Sequence, residues 1–379
     1  MQVYFDNAAT TPLDPEVFDA MKPYLVNYYG NPSSIHAQGR QARSAIEKSR
    51  RTIADLLNTS PAEVFFTSGG TEADNTAIQC SLLSAQIEQV ITSRIEHHAV
   101  LHTVQCLEKQ DAVRVHYLNL DQFGGVDYDH LQELLNTGGS SLVTLMHANN
   151  EIGNLTDLKR VGEMCGHTGA VFHSDTVQAM AHYRYDLQQI NIQCIVGSAH
   201  KFHGPKGVGF LYIQAGHPIS PFIHGGSQER NMRGGTENVA GIVGLAKAME
   251  LAYAELDQHH QHIQGLKSYM IDQLKAKIPG VAFNGLSEYP DKSLYTVLSV
   301  SLPASDDNEM LLFNLDINGI SASGGSACTS GSNVGSHVLT ELGADPARSS
   351  VRFSFSKYNT EEEVDYVVAK LATLYQVKV

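Results

Sequence analysis

Short apolar runs recur along the first two thirds of this chain, spaced so that one helix fits between each pair. Residues 64–66, 89–92, 114–118, 142–146, 170–173 and 192–196 read as buried strands separated by helix-length segments. Strands joined through helices cross over right-handedly and lie parallel. The chain is therefore constrained to an α/β fold with a mainly parallel sheet covered on both faces. Ligands in such folds sit at the carboxyl ends of the strands, and the polar, glycine-bearing stretches of this sequence follow strand ends.

One such stretch is Ser198-Ala199-His200-Lys201-Phe202-His203-Gly204-Pro205-Lys206-Gly207, between the 192–196 strand and another at 208–213. A lysine on a loop at the end of a core strand can be presented to a bound carbonyl. Burial would lower its pKa and free the amine to form a Schiff base. The same residues also fit a solvated loop lysine. A second stretch, Thr67-Ser68-Gly69-Gly70-Thr71-Glu72, opens a helix containing Ala73, Ala77, Ile78 and Leu82. Free N–H groups at a helix N-terminus favour a phosphate. The stretch lacks the lysine of a nucleotide-binding P-loop, and a plain tight turn fits it as well.

Asp6-Asn7-Ala8-Ala9-Thr10-Thr11-Pro12 is a polar turn after a brief strand, and Gly30-Asn31-Pro32-Ser33-Ser34-Ile35-His36 is a loop before a helix at 40–58. A further glycine-rich patch, His224 to Glu237, precedes a long helix with Val239, Ile242, Val243, Ala246, Met249 and Tyr253 on one face. The chain then turns polar at 254–262, where His259, His260 and His262 cluster, and this is where a second domain is expected to begin. That domain reads as α/β with an antiparallel sheet: helices at 266–277 and 308–315, strands at 297–302 and 350–355, and a closing helix. Thr360 and Glu363 form a capping box for the last helix, and Val364, Val367, Val368, Leu371 and Leu374 are its buried stripe.

At 379 residues the chain exceeds one ordinary core, so two domains are the default. A formal net charge of -14 disfavours a nucleic-acid partner. No run of apolar residues is long enough for a membrane span or a signal peptide, and a cytoplasmic location is expected. Five widely spaced cysteines without a C-x-x-C pair suggest neither a disulfide framework nor a zinc site. His98 and His102 share a helical face, but no third metal ligand accompanies them, and no metal is expected. Cys80, Cys106, Cys165 and Cys194 read as buried and inert. Cys328 instead lies in Gly324-Gly325-Ser326-Ala327-Cys328-Thr329-Ser330-Gly331-Ser332, too polar and flexible to pack as core, where an exposed thiol suits nucleophilic chemistry.

Taken in order, these motifs resemble the class V aminotransferase group of pyridoxal 5'-phosphate (PLP) enzymes, most closely the cysteine desulfurases of the NifS/IscS type. The resemblance spans residues 4 to about 375, and also includes Glu96-His97, 146–153, 173–178 and 349–354. It implies PLP-dependent transferase fold type I, with a seven-stranded-type sheet in a large domain at 13–253. A small domain would be formed from 1–12 and 254–379 and carry the Cys328 loop. By the same resemblance Lys201 would hold PLP, Asp175 would face its ring nitrogen, and His97 would lie on the ring and handle protons. Asn150 and Gln178 would reach the ring oxygen. Gly70, Thr71, Ser198 and His200 would hold the phosphate, with Thr236 contributed by a second subunit of a homodimer. Arg352 would clamp the carboxylate of L-cysteine, with Asn7 and Asn31 nearby, and Cys328 would accept the sulfur as a persulfide. A sulfur acceptor protein or iron–sulfur scaffold is the implied partner. Ala199 stands where a glycine is common in the group, and the chain ends at Val379, where housekeeping members continue into a scaffold-docking tail. A selenocysteine lyase or another class V aminotransferase would share the cofactor residues but not the Cys328 loop.

Overall fold

The computed structural model describes residues 1–305, 310–324 and 335–375. After a short strand β1 (Val3–Tyr4), helix α1 (Pro15–Val26) starts under the cap of Asp14, whose carboxylate accepts from the Glu16 amide at 2.9 Å. Helix α2 (Ala37–Leu56) buries Ala42, Ala45, Ile46 and Ile53, the stripe expected from the sequence, though it begins three residues before position 40. There follow β2 (Val64–Thr67), the short helix α3 (Gly70–Asn75), β3 (Gln89–Thr92) and α4 (His98–Lys109). The alternation continues through β4 (Arg114–Tyr117), α5 (Tyr128–Asn136), β5 (Ser141–Thr144), α6 (Leu158–Thr168), β6 (Val171–Ser174), β7 (Cys194–Ser198) and β8 (Gly209–Ile213).

Strands β2 to β8 form one seven-stranded sheet in the order β2-β8-β7-β6-β5-β3-β4. Every pairing is parallel except those of β8, which runs antiparallel to both neighbours. The sheet is therefore mainly parallel, as expected. Its residues alternate between two covered faces. Ile91, Val143 and Ile195 join one cluster with Ile46 and Ile53, while Val90 and Leu142 pack with Val100 and Val104 on the other side.

The long helix α7 (Val239–Ala254) packs Leu245, Met249 and Tyr253 onto the large core. It breaks at Glu255 into α8 (Leu256–Lys277), whose Ile263, Leu266 and Met270 belong to a separate cluster. Helix α8 thus starts ten residues earlier than its apolar pattern indicates, because its first turns are polar. The separate cluster is built on an antiparallel sheet, β12-β10-β9, from β9 (Ala282–Phe283), β10 (Val297–Leu302) and β12 (Ser349–Ser354). Between β10 and β12 lie α9 (Leu311–Ile317), β11 (Ile320–Ser321) and α10 (His337–Glu341). Strand β1 pairs parallel with β11, so Val3 and Phe5 join this second cluster. The closing helix α11 (Glu361–Leu374) has the expected capping box and buries Val364, Val367, Val368 and Leu371, with Leu374 half-buried. No helix among the described residues is long and apolar enough to cross a membrane.

One residue of α8 contradicts its surroundings. Lys267 is fully buried, with Nζ donating to Ser293 Oγ at 2.8 Å and to the Leu294 carbonyl at 3.0 Å. Burial pulls its pKa down to about 7. The unfolded chain keeps this proton up to about pH 10.4, so between pH 7 and that value the folded state has shed a proton the unfolded state still binds. Stability from this site therefore rises with pH across that window and is lowest below pH 7. Replacing Lys267 with Met is expected to flatten the rise, and the melting-temperature difference between variant and wild type, measured from pH 6 to 10, checks it. A difference that does not change with pH would contradict the assignment.

Candidate active site

A cavity of about 230 Å³ opens at the carboxyl edge of the large sheet, where strand ends and second-cluster residues meet. Lys201 enters it from a 3-10 turn, Ala199–Lys201, that directly follows β7. Its Nζ donates to the carbonyls of Ala8 at 2.6 Å and Ala9 at 3.0 Å. Ala199 is fully buried here, and Gly204 makes room for its methyl: a Cβ at 204 would stand 2.7 Å from that of Ala199.

Asp175 follows β6 immediately, is 7% exposed, and accepts the Val177 amide at 2.9 Å. Gln178, one turn on, donates to the Ala8 carbonyl at 3.0 Å. His97 caps α4, its Nδ1 accepting from the Ala99 amide at 3.1 Å. Burial lowers its pKa, helped by the positive charge of Lys201 and by His337 and His102, while Asp175 opposes the shift. A neutral ring that accepts at Nδ1 carries its proton on Nε2. His200 is held near pKa 4 by burial and by Lys201 and Lys206, and its Nδ1 meets Thr10 Oγ1 at 3.2 Å.

Gly70 and Thr71 form the first turn of α3, whose leading amides have no intrahelical acceptor. Glycine is required at 70, since a Cβ would come within 2.7 Å of Val177 Cγ2. Ser198 ends β7 beside this turn, and it lines the cavity with His200, Gly70 and Thr71. Arg352 comes from β12 and is 2% exposed. It donates through one terminal nitrogen to the Asn150 carbonyl at 2.8 Å and through the other to Asp6 Oδ1 at 2.9 Å, while its buried Nε has no partner among the described residues.

The structure thus gathers Gly70, Thr71, His97, Asn150, Asp175, Gln178, Ser198, His200, Lys201 and Arg352 around one cavity. Three others stand outside it. The Asn7 amide donates to the carbonyls of Ser354 at 2.8 Å and Tyr4 at 3.3 Å, Asn31 caps its own exposed turn by accepting from the Ser33 amide, and Thr236 is exposed. Cys328 lies outside the described residues. Among the other cysteines, Cys80, Cys165 and Cys194 are buried, whereas Cys106 is exposed, which corrects the expectation for that residue: it falls on the outer face of α4. His98 and His102 stack at 4.4 Å, and no group of three possible metal ligands occurs among the described residues.

The sequence reading missed a layer of buried acids beneath the site. Asp74 lines the cavity at 1% exposure, with its Oδ1 3.4 Å from His173 Nε2. Burial, then the neighbouring Asp175 and Glu96, push its pKa well up. Glu96 accepts from Ser93 Oγ at 2.8 Å and from the Met146 amide at 2.9 Å, yet burial outweighs both and lifts its pKa to about 8. No periodicity could reveal these roles, because an acid after a glycine turn or before a helix reads as an ordinary cap.

The class V aminotransferase family model matches residues 3–367. The chain belongs to that family. Within it, the chain is similar to the cysteine desulfurase IscS of Dictyoglomus turgidum, at 41% identity over 99% of this chain and 95% of that one. A solved NifS-like protein superposes with a TM-score of 0.90 at 38% identity, covering 99% of this chain and all of the other. A structure described as SspA in complex with cysteine does so at 0.80 and 31%, covering 95% of this chain and all of that one.

Glu96 offers a test of the buried acid layer. Its proton stays on in the folded state up to about pH 8 but is lost near pH 4.3 when unfolded, so stability from this site falls as pH rises through that interval. Glu96→Gln mimics the protonated acid and is expected to remove the fall. The melting-temperature advantage of the variant should grow from pH 5 to 8 and then level off; a constant offset would refute the protonated assignment.

Proposed function

We propose that this protein is a PLP-dependent cysteine desulfurase, converting L-cysteine to L-alanine and keeping the sulfur on Cys328 as a persulfide. The observation that carries the reading is the meeting, in one cavity, of an amine, a buried carboxylate, a neutral imidazole and a guanidinium with an unpartnered Nε: Lys201, Asp175, His97 and Arg352. That donor set fits the cofactor: Lys201 for its carbonyl, Asp175 for its ring nitrogen, His97 for its ring, Asn150 and Gln178 for its ring oxygen. The open amides of Gly70 and Thr71, with Ser198 and His200, suit its phosphate. PLP supplies an electron sink for the charge left on the substrate when its Cα proton departs.

The chain's own residues do the rest. Asp175, buried beside the ring site, favours a proton on the ring nitrogen. Lys201 and His97 are the groups placed to move protons: Lys201 reaches the cavity held by the Ala8 carbonyl, and burial favours the neutral ring of His97. Arg352 binds the substrate carboxylate through paired N–H groups, while Asn7 and Asn31 stand outside the cavity on this chain. The Cys328 thiolate attacks the substrate sulfur. The carbon–sulfur bond breaks, its electron pair stays with carbon and takes up a proton, and one alanine and one Cys328 persulfide result.

The reading extends to assembly. Thr236 is exposed on the single chain, as are the large apolar side chains of Leu25, Val26, Tyr29 and Ile35, and a homodimer would give them a surface to bury against. The domains would be 13–253 and 1–12 with 254–379, in keeping with the separate hydrophobic clusters and the helix break at Glu255. A sulfur acceptor protein or iron–sulfur scaffold in the cytoplasm is the expected consumer of the persulfide.

Three measurements test this. Purified protein given cysteine and dithiothreitol should form alanine and sulfide in equal amounts, with selenocysteine and keto acids run beside it to expose a lyase or transaminase. Cys328→Ala should still bind cysteine, seen as an absorbance change, but lose most sulfide release and the one-sulfur mass gain on the peptide bearing position 328. Wild-type sulfide release by that variant would mean that no persulfide is involved. Lys201→Ala should keep its fold and lose the cofactor linkage trapped by borohydride, whereas trapping at Lys206 in the wild type would move the assignment.

A further inference from the structure

Arg352 is held by more than its cavity neighbours. One terminal nitrogen meets Asp6 Oδ1 at 2.9 Å, and that same oxygen accepts Ser323 Oγ at 2.7 Å. Ser323 and Arg352 also exchange backbone hydrogen bonds, Arg352 N to Ser323 O at 2.7 Å and Ser323 N to Arg352 O at 3.3 Å. Asp6 is itself bridged to Ser354, two residues along the strand from Arg352, where the Ser354 amide donates to the Phe5 carbonyl at 2.7 Å. The carboxylate is thus fixed relative to the strand that carries the guanidinium.

A flexible arginine loses rotamer freedom when it binds a carboxylate, and a guanidinium already held in place loses less. Asp6 and the Asn150 carbonyl take one N–H from each terminal nitrogen. Nε has no partner among the described residues, and the guanidinium lines the cavity in a plane set by those two contacts. Asp6 also places a negative charge against the guanidinium where it is buried at 2% exposure.

We propose that Asp6, with Ser323 behind it, is a positioning residue that aims Arg352 and thereby sets the preference for substrates bearing an α-carboxylate. The proposal rests on the reading of Arg352 as the carboxylate clamp. It makes the N-terminal turn part of substrate selection, although Asp6 itself does not line the cavity.

The test uses the cofactor-loaded protein and two unreactive ligands differing by the carboxylate, L-alanine and ethylamine, with binding read from the absorbance of the bound cofactor. The ratio of the two affinities isolates the clamp. Asp6→Ala should cut that ratio about tenfold or more, the scale of one charge-assisted hydrogen bond, by weakening alanine while leaving ethylamine nearly unchanged. Asp6→Asn keeps an oxygen for both donors and should recover most of the ratio. Ser323→Ala should shift it in the same direction by less, and it serves as the readout if Asp6→Ala fails to fold. Melting curves of the cofactor-free variants measure general damage separately. Equal weakening of both ligands, or an unchanged ratio in Asp6→Ala and Ser323→Ala, overturns the proposal while leaving the clamp intact. A wild type that does not prefer alanine overturns the clamp reading, and the proposal with it.

Discussion

The N-terminal turn, residues 5–9, is the tie on which the site depends. On one side it is sewn to β12: Ser354 donates to the Phe5 carbonyl, and Ser354 Oγ accepts the Ala8 amide at 2.8 Å. On the other, the carbonyls of Ala8 and Ala9 hold Lys201 and that of Ala8 also takes Gln178. Lys201 and Gln178 come from the large sheet and Arg352 from the small one. A chain segment hydrogen-bonded to both therefore fixes the distance between amine and guanidinium, which is what an amino-acid site needs.

Beneath this tie the protein tolerates three acids close together, Asp74, Glu96 and Asp175, at or below 7% exposure. Ionising all of them would cost far more than the available donors return. The structure resolves the conflict by keeping protons on Asp74 and Glu96, whose pKa values rise through burial and through the neighbouring acids. His173, held near pKa 3 by burial, stays neutral beside Asp74 and adds no charge of its own. The acids then set one another's protonation, so a change at Glu96 or Asp74 reaches the cavity without touching a ligand.

Much of this was legible in the chain. Strand runs with apolar alternation fixed the sheet, and the glycine turn at 69–71 and the lysine after 192–196 lie at carboxyl ends because a parallel sheet puts them there. What escaped depends on tertiary contact. Helix α1 was hidden by Pro23 inside it, although Asp14-Pro15 is a sound start signal. The polar first turns of α8 concealed its first ten residues, and the roles of Asp6, Asp74 and Glu96 arise from partners up to hundreds of positions away. Lys267 carries no sequence mark of burial at all.

The cysteines show how the fold restricts where sulfur chemistry can occur. A thiol acts as a nucleophile only as its thiolate. Burial lifts Cys165 and Cys194 to a pKa of about 12 and raises Cys80 as well, so none of the three is ionised near neutrality. Cys106 is exposed, but it sits eight residues along α4 from His98, about 12 Å at 1.5 Å per residue, and faces away from the cavity that His97 lines. Cys328 stands five positions in sequence after Ser323, the residue bonded to both Asp6 and Arg352. Among the described residues, therefore, no cysteine lines the cavity that Lys201 and Arg352 share.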